Sequence, residues 1–317
     1  MTPTPEAWPI AAGLLQFPAV RRDGSSAQDA DPEEWFEVFA EVASAGFRLA
    51  ELSDSWVRAG DLSARRLELL ADAAAQAGVG IPSLAVVRSS IIDPDDGLSN
   101  VAHGHRMIDA AAQLSASVVS FGLHRPLTAT QREQLWFWTV QGATDPEDQD
   151  VWDAAVAGFR ELGSHAASVG VQLSLEMYED TLLGTAESAV RLVQDIGLDN
   201  VGLNPDVGNL VRLHRPVESW QDIIEKTAPY TNYWHIKNYF RDEDIARGWF
   251  TSAPAPLELG VIDYRWAIKE VLRAGFTGIF VCEHYGGDGL SVGARNQRYI
   301  RGLLPSGESP RYVPRPD

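Results

Sequence analysis

The sequence is poor in cysteine and in long apolar runs. Cys282 is the only cysteine among 317 residues, so an internal disulfide and a thiolate-rich zinc site are both excluded. No apolar run reaches the ~18 residues that a membrane-spanning helix requires. The first residues, MTPTPEAWPI, lack the positive and apolar regions of a signal peptide. We therefore expect a soluble protein of a reducing compartment, the cytoplasm.

Positive charge is also scarce. The chain has 26 Lys and Arg against 44 Asp and Glu, which gives a formal net charge of −18. Such an acidic surface repels phosphate backbones and anionic membranes, so we expect no nucleic-acid partner and no membrane partner. No GxGxxG motif follows the first predicted strand, so dinucleotide binding has little support. The hydrophobic content of 45% is ordinary for a globular protein that buries a core.

Strand and helix patterns alternate along most of the chain. Four helix ends carry a glycine before the next strand, as in Ala45-Gly46-Phe47, where left-handed glycine lets the chain turn back. Eight βα units predict a single (β/α)8 TIM barrel over residues 1–304, with a Pro-rich tail at 305–317. A doubly wound sheet is the alternative. The predicted strands cover residues 10–17, 47–52, 81–87, 117–122, 171–176, 201–204, 231–237 and 278–283.

Two of the predicted loops are long, and both follow strands. They cover residues 124–150 after strand four and 238–262 after strand seven. In barrels of this kind the loops after strands build the active site. Both are rich in aromatic residues, which predicts either a lid over a ring-shaped substrate or an oligomer contact: Trp136, Phe137, Trp138, Tyr239, Phe240, Trp249 and Phe250.

Four predicted strands finish on a side chain that can bind a metal. If the strands are neighbours in one barrel, these groups converge on one point. Side chains alternate along a strand, and in each case the polar residue has the inward parity while apolar neighbours face the helices. Three carboxylates and one imidazole suit Mn²⁺ or another divalent ion. The alternative is a set of barrel ion pairs with Lys237 and Arg241. The four residues are Glu176, Asp206, His235 and Glu283.

These residues and their surroundings resemble the xylose-isomerase-like superfamily: Glu176, Asp206 in NPDVGN, His235 in WHIKN and Glu283 in VCEH. More narrowly, they resemble sugar phosphate isomerase/epimerase proteins, which include ketose 3-epimerases and inosose dehydratases. The resemblance covers about residues 10–304. It implies one Mn²⁺-class ion (Mn²⁺, or Mg²⁺, Co²⁺ or Zn²⁺) on those four residues. It also implies proton transfer by Glu176 and Glu283 at the carbon beside a sugar carbonyl. Arg241, six residues after His235, would hold a substrate oxygen.

The chain departs from the epimerase pattern at two places. Asn209 stands where epimerases commonly have a histidine, and His124 ends strand four before the Trp-rich loop. These features resemble the catalytic α-subunits of C-glycoside deglycosidases. Those proteins bind a 3-oxo-glycoside, remove a proton and expel an aromatic aglycone, and they pair with a small β subunit. That resemblance makes His124 a candidate base or aglycone acid. It leaves open a homo-oligomer or a hetero-oligomer with a β subunit.

Further candidates lie near the predicted barrel mouth. Lys237 is expected to bind substrate or to pair with a carboxylate, Glu51 is expected to bind substrate, and Arg88, just after strand three, is a further candidate. His103 is expected at a surface or a helix cap. A phosphodiesterase with a three-zinc site would require more histidines than seven and a basic groove. A non-catalytic barrel would lack one of the four ligand-type residues, and none is missing.

Overall fold

Residues 3–305 are described by a computed structural model, in which eight parallel strands form a barrel. The barrel strands are β1 Ile10–Gly13, β2 Leu49–Ser53, β3 Gly80–Val86, β4 Val118–Phe121, β5 Gln172–Glu176, β6 Val201–Asn204, β7 Trp234–Ile236 and β10 Phe280–Cys282. Their order is β6-β5-β4-β3-β2-β1-β10-β7, and a parallel bridge from Leu203 to Thr231 joins the two ends. The predicted (β/α)8 barrel is therefore confirmed.

Helices connect these strands around the outside of the barrel. The first one shows how the sequence sets its start: Asp31 and Glu34 form a capping box around Pro32 at the first helical position. It ends before Gly46, whose φ of 92° turns the chain back to β2. The helices are α1 Pro32–Ser44, α2 Ala64–Gln76, α3 Gly97–Gln113, α4 Ala129–Arg132, α5 Gln149–Ser168, α6 Ala186–Ile196, α7 Gly208–Val211, α8 Trp220–Thr227, α9 Tyr264–Arg273 and α10 Gly289–Leu303.

The alternation of side chains along the strands divides the apolar residues between two cores. Trp234 and Phe280 point outward and pack in the large core between strands and helices. Tyr233 and Val281, one position away, lie in a smaller cluster inside the barrel. An aromatic side chain such as Trp234 removes roughly 150–250 Å² from water, worth about 4–6 kcal/mol of transfer free energy. Outward apolar residues thus stabilise the barrel and leave inward positions for polar groups.

The segment after β7 is not an irregular loop, which corrects the expectation for residues 238–262. Strands β8 Asn238–Asp244 and β9 Trp249–Ala255 form an antiparallel hairpin. Its turn ends at Gly248, which has a φ of 63°. The segment after β4 contains α4 and a short 3-10 helix, Phe137–Thr139. Trp138 of this helix donates from Nε1 to Ser252 Oγ at 3.0 Å, so the two segments are attached to each other.

Several predicted boundaries move by a few residues. The first strand stops at Gly13, because Leu14–Gln16 form a 3-10 helix rather than more strand. Helix α8 begins at Trp220, since Ser219 caps it, and not at residue 216. The predicted tail lies outside the described residues beyond Pro305. Among the helices described, none is both long and apolar enough to cross a bilayer.

Candidate active site

The four predicted ligand residues meet at the C-terminal end of the barrel. Glu176 closes β5, His235 lies in β7, Glu283 directly follows β10, and Asp206 lies two residues after the end of β6. His235 Nδ1 lies 3.3 Å from Glu283 Oε1 and 3.8 Å from Glu176 Oε1. The ligand atoms of Glu176, Asp206 and His235 lie within 4.8 Å of one another, as do those of Glu51, His235 and Glu283. The barrel thus brings the four together, and their binding of a metal stays a prediction.

Two atoms in this group fit a metal ion. His235 Nδ1 and Asp206 Oδ1 are buried and have no hydrogen-bond partner among the described residues. Burial raises the pKa of Asp206 to about 7, and the nearby charges of Glu283 and Glu176 act in the same direction against that of Lys237. Three carboxylates, those of Glu176, Asp206 and Glu283, therefore lie close to a single ammonium group, that of Lys237. Unused lone pairs and excess negative charge are what a divalent cation satisfies.

Glu51 orients His235 from below the site. Its Oε2 accepts from Nε2 of His235 at 2.9 Å and from the hydroxyl of Tyr233. With Nε2 donating, the Nδ1 lone pair faces the centre of the group. Glu51 is 1% exposed and does not line the cavity described below, which corrects the expectation that it binds substrate. The reason is that β2 continues to Ser53, so Glu51 lies one pleat beneath the strand end.

Asn209, at the epimerase histidine position, holds two of the predicted ligands. Its Nδ2 lies 2.9 Å from Glu176 Oε1, 3.0 Å from Asp206 Oδ2 and 3.1 Å from the Met177 carbonyl oxygen. Asn209 is fully buried on the short helix α7. One amide therefore fixes the relative orientation of carboxylates that come from different strands.

Lys237 pairs with the predicted ligands instead of lining the cavity. Its buried ammonium donates to Asp206 Oδ2 and, at 2.5 Å, to Glu283 Oε2. Of the two expected roles, substrate binding and carboxylate pairing, the structure shows the pairing, because both carboxylates lie within reach of the inward-facing lysine. A Cβ on Gly208 would lie 2.5 Å from Lys237 Cγ, so glycine is needed there for the lysine to reach them.

A cavity of about 160 Å³ lies over this group. Glu176, His235 and Glu283 form one part of its wall, and His124 and Arg88 form another. Larger depressions, of about 620 and 690 Å³, lie beside the barrel mouth and at the opposite end of the barrel. They contain none of the predicted ligands, so the smaller cavity is the candidate site.

His124 faces this cavity as a neutral imidazole. Its ring stacks on Tyr178 with centroids 4.4 Å apart. Burial lowers the pKa of His124 to about 4, against the opposing charge of Glu176 and with the help of Arg88. At neutral pH the ring therefore accepts or donates a hydrogen bond but is not an imidazolium acid. A Cβ on Gly122 would lie 2.1 Å from His124 Nδ1, so glycine leaves the space that the ring occupies.

Aromatic side chains of the segment after β4 pack around a buried arginine, Arg212, that the sequence did not indicate. Arg212 is fully buried, and its Nη2 lies 3.0 Å from both carboxylate oxygens of Glu179. Its Cζ lies 4.8 Å from the ring centre of Phe137 and 5.0 Å from that of Trp138. Trp138 is 2% exposed. These inward contacts favour the lid over the oligomer contact for this loop.

Arg241 does not reach the cavity, which corrects its expected role. Its guanidinium donates to the carbonyl oxygens of Val211, Leu213 and Arg215 and to Glu243. The expected role rested on the separation of six residues from His235, along a segment that the sequence predicted to be a loop. The hairpin instead directs Arg241 toward the segment after α7.

The expectation for His103 was also wrong. Its side chain is buried and pairs with Asp54 at 2.9 Å, rather than lying at a surface.

Comparison with known proteins places this geometry in a family. The pattern of the xylose isomerase-like TIM barrel family matches residues 39–303. A xylose isomerase-like TIM barrel protein from Mycobacterium smegmatis, crystallised in complex with magnesium, is 45% identical. The match covers 95% of this chain and 98% of that one, with a TM-score of 0.91.

More distant relatives carry names that describe an activity. An inosose dehydratase from Yersinia enterocolitica is 27% identical over 261 residues, which are 78% of this chain and 81% of that protein. A 3-keto-D-glucoside 4-epimerase from E. coli is 16% identical and shares the fold, with a TM-score of 0.64 over 93% of this chain and 99% of that one. The extent of the family match and the 45% identical relative settle the assignment: this chain belongs to the xylose isomerase-like TIM barrel family.

Proposed function

We propose that the protein is a divalent-metal-dependent enzyme that acts on a sugar or keto-sugar by removing a proton beside a carbonyl. One observation carries the proposal. Four ligand-type side chains from separate strands meet beneath a cavity of about 160 Å³, and His235 Nδ1 and Asp206 Oδ1 have no hydrogen-bond partner among the described residues. The Mycobacterium smegmatis relative was crystallised in complex with magnesium, which supports the use of a divalent ion. We assign Glu176, Asp206, His235 and Glu283 as its ligands, with Mn²⁺ or Mg²⁺ as the expected metal.

The chain's own residues divide the proposed reaction between them. Glu176 and Glu283 line the cavity, so each can face the substrate carbon as a proton acceptor or donor. Asn209 and Lys237 hold the carboxylates in place. A bound divalent cation would polarise the carbonyl and stabilise the charge that develops on its oxygen. His124 stays neutral and serves as a hydrogen-bonding group at a substrate oxygen.

Cavity size favours an isomerase, epimerase or dehydratase over a C-glycoside deglycosidase. A cavity of about 150 Å³ holds one benzene-sized ring. The 160 Å³ cavity therefore suits a monosaccharide-sized ligand, whereas the aromatic aglycone of a C-glycoside would have to extend out of its open side. The dehydratase and epimerase names of the relatives support the same choice. Elimination and epimerisation would share the first proton abstraction.

The first experiment is metal analysis of the purified protein. We expect about one Mn²⁺-class ion per chain, and its loss in a Glu176→Ala/Asp206→Ala variant. Failure to take up Mn²⁺, Mg²⁺, Co²⁺ or Zn²⁺ would contradict the proposal.

The second experiment follows exchange of carbon-bound protons of keto-sugars in D₂O by NMR. We expect exchange with metal, none with EDTA, and a loss of at least ~100-fold in Glu283→Gln. Glu187→Gln is the matched control, because Glu187 is exposed on α6 away from the cavity. Full exchange in a Glu283→Gln variant that keeps its full metal content would contradict the mechanism. Loss of water from the sugar, seen with the wild type, would identify a dehydratase.

A further inference from the structure

Arg88 lines the cavity in an unusual backbone conformation. It follows β3, and its φ is 55°, in the left-handed region that glycine, asparagine and aspartate adopt far more readily. Local preference therefore opposes an arginine at this position, and the surrounding structure maintains it. Strain of this kind is concentrated at ligand sites, where the side chain has a use that outweighs the local cost.

The guanidinium of Arg88 contacts only neutral groups of the chain. Nη1 donates to the Arg125 carbonyl oxygen at 3.1 Å, and Nη2 donates to the Tyr178 hydroxyl at 3.1 Å. The face of the group lies over the ring of Phe137, with Cζ 4.9 Å from the centroid. These contacts fix the plane of the guanidinium and use two of its five N–H donors.

The other cations around the barrel mouth are different, because each is already neutralised. They pair with carboxylates of the chain: Arg125 with Asp145, Arg212 with Glu179, and Lys237 with Asp206 and Glu283. Among the described residues, Arg88 has no carboxylate within salt-bridge distance. The positive charge of this half-buried guanidinium is partly removed from water and is not paired with a carboxylate, so an anionic group of a ligand would stabilise it.

The position of Arg88 places its unpaired positive charge next to the cavity of the proposed reaction. Arg88, His124 and Tyr178 belong both to the cavity wall and to a small void behind it. Three of the predicted metal ligands border the cavity and not the void: Glu176, His235 and Glu283. Arg88 therefore lies on the side away from the reacting end. A ligand that reaches from Glu176 to Arg88 would have its carbonyl at one end and its anionic group at the other.

We propose that Arg88 binds a carboxylate of the substrate, so that the enzyme acts on an acidic keto-sugar rather than on a neutral one. This rests on the proposed function, which supplies the carbonyl end. A carboxylate and a phosphate ester share the required charge, and the planar carboxylate matches the guanidinium fork and the 160 Å³ cavity more closely.

The test uses three matched probes that differ only at C6: D-fructose, D-fructuronate and D-fructose 6-phosphate. Binding to the metal-loaded wild type, Arg88→Asn and Arg88→Lys is measured by calorimetry. Asparagine tolerates the left-handed conformation, so Arg88→Asn should fold. Arg298→Asn is the matched control, because Arg298 is exposed on α10. Proton exchange at carbon in D₂O is followed in parallel for the same pairs.

We expect D-fructuronate to bind the wild type roughly ten- to a hundredfold more tightly than D-fructose. Arg88→Asn should lose this preference, Arg88→Lys should retain part of it, and Arg298→Asn should keep it. Equal binding of the two sugars, binding of none of the probes, or a preference that survives in Arg88→Asn would overturn the proposal. Tightest binding of D-fructose 6-phosphate would overturn the choice of carboxylate. The exchange measurement separates the two proposals, because exchange without a carboxylate preference leaves the proposed function intact.

Discussion

Replacement of Lys237 by methionine tests whether the carboxylates at the barrel mouth are arranged for a cation. The Lys237 ammonium is bonded to Asp206 and Glu283, and all three groups are buried. Removing one partner of a buried ion pair costs about 3–5 kcal/mol, because the other charge stays unpaired. A chain of this size loses about 2 °C per kcal/mol. Lys237→Met should therefore unfold roughly 6–10 °C below the wild type in EDTA.

A divalent cation should remove much of this difference. A metal present at a hundred times its Kd stabilises a protein that binds it only in the folded state by about 2.7 kcal/mol. In Lys237→Met the cation would also compensate Asp206 and Glu283, so Mn²⁺ should raise the unfolding temperature by more than in the wild type. If about 1.4 kcal/mol of the lost stability is recovered, Mn²⁺ binds roughly tenfold more tightly to the variant.

The assay is thermal unfolding of both proteins with EDTA and across a Mn²⁺ titration. Lys226→Met is the control, because Lys226 forms an exposed pair with Glu218 at 3.7 Å and such pairs contribute little. The reasoning is refuted if Lys237→Met matches the wild type in EDTA. It is also refuted if Mn²⁺ raises both unfolding temperatures equally, because Lys237 would then not share the cation's place.

Four further predictions concern single positions. Asn209→Ala should weaken Mn²⁺ binding roughly 10- to 100-fold in a calorimetric titration, because two carboxylates lose their common donor; an unchanged Kd would contradict this. Gly122→Ala should lower kcat/KM at least tenfold, because the added methyl group would occupy the space of the His124 ring and displace it. Gly302→Ala is the control and should not lower kcat/KM, because there is open space around Gly302. The folded-state pKa of His124, about 4, lies below its ordinary value of 6.5, so its contribution to stability is present above pH 6.5 and lost as pH falls toward 4; a His124→Gln variant should lack that part of the pH profile measured by denaturant unfolding. Burial raises the pKa of the Cys282 thiol, so a thiol reagent should label it only as fast as the protein unfolds; rapid labelling of the native protein would contradict its burial.

The sequence predicted the barrel and the convergence of four side chains because both depend on strand periodicity. Inward parity along β5 and β7 follows from alternation alone, so Glu176 and His235 could be placed without knowing any loop. Depth was harder to predict, because the end of β2 differed by a residue or two. That difference is enough to turn Glu51 from a cavity residue into the partner of His235.

Loop-borne groups could not be predicted in the same way. Arg241 was assigned by its distance along the chain from His235, but the β8–β9 hairpin redirects it to main-chain carbonyls. Arg212 gave no signal, because its aromatic surroundings come from three separate segments after β4, β5 and β10. Contacts between loops depend on where each loop folds back, and local sequence patterns do not determine that.

The residues proposed for the chemistry lie on or near strands, whereas the residues proposed for substrate specificity lie in the loops after them. The predicted metal ligands lie on strands or within two residues of their ends, and their supports, Glu51 and Tyr233, lie deeper in the barrel. Arg88 and His124 follow strand ends, where loop changes alter the cavity and leave the carboxylates in place. Under the proposed mechanism, changes in these loops would therefore alter the substrate and leave the first proton abstraction in place, in line with the many activities that one fold can carry. In this chain, the group that selects the substrate should accordingly be sought in Arg88 and its neighbours rather than among the four ligands.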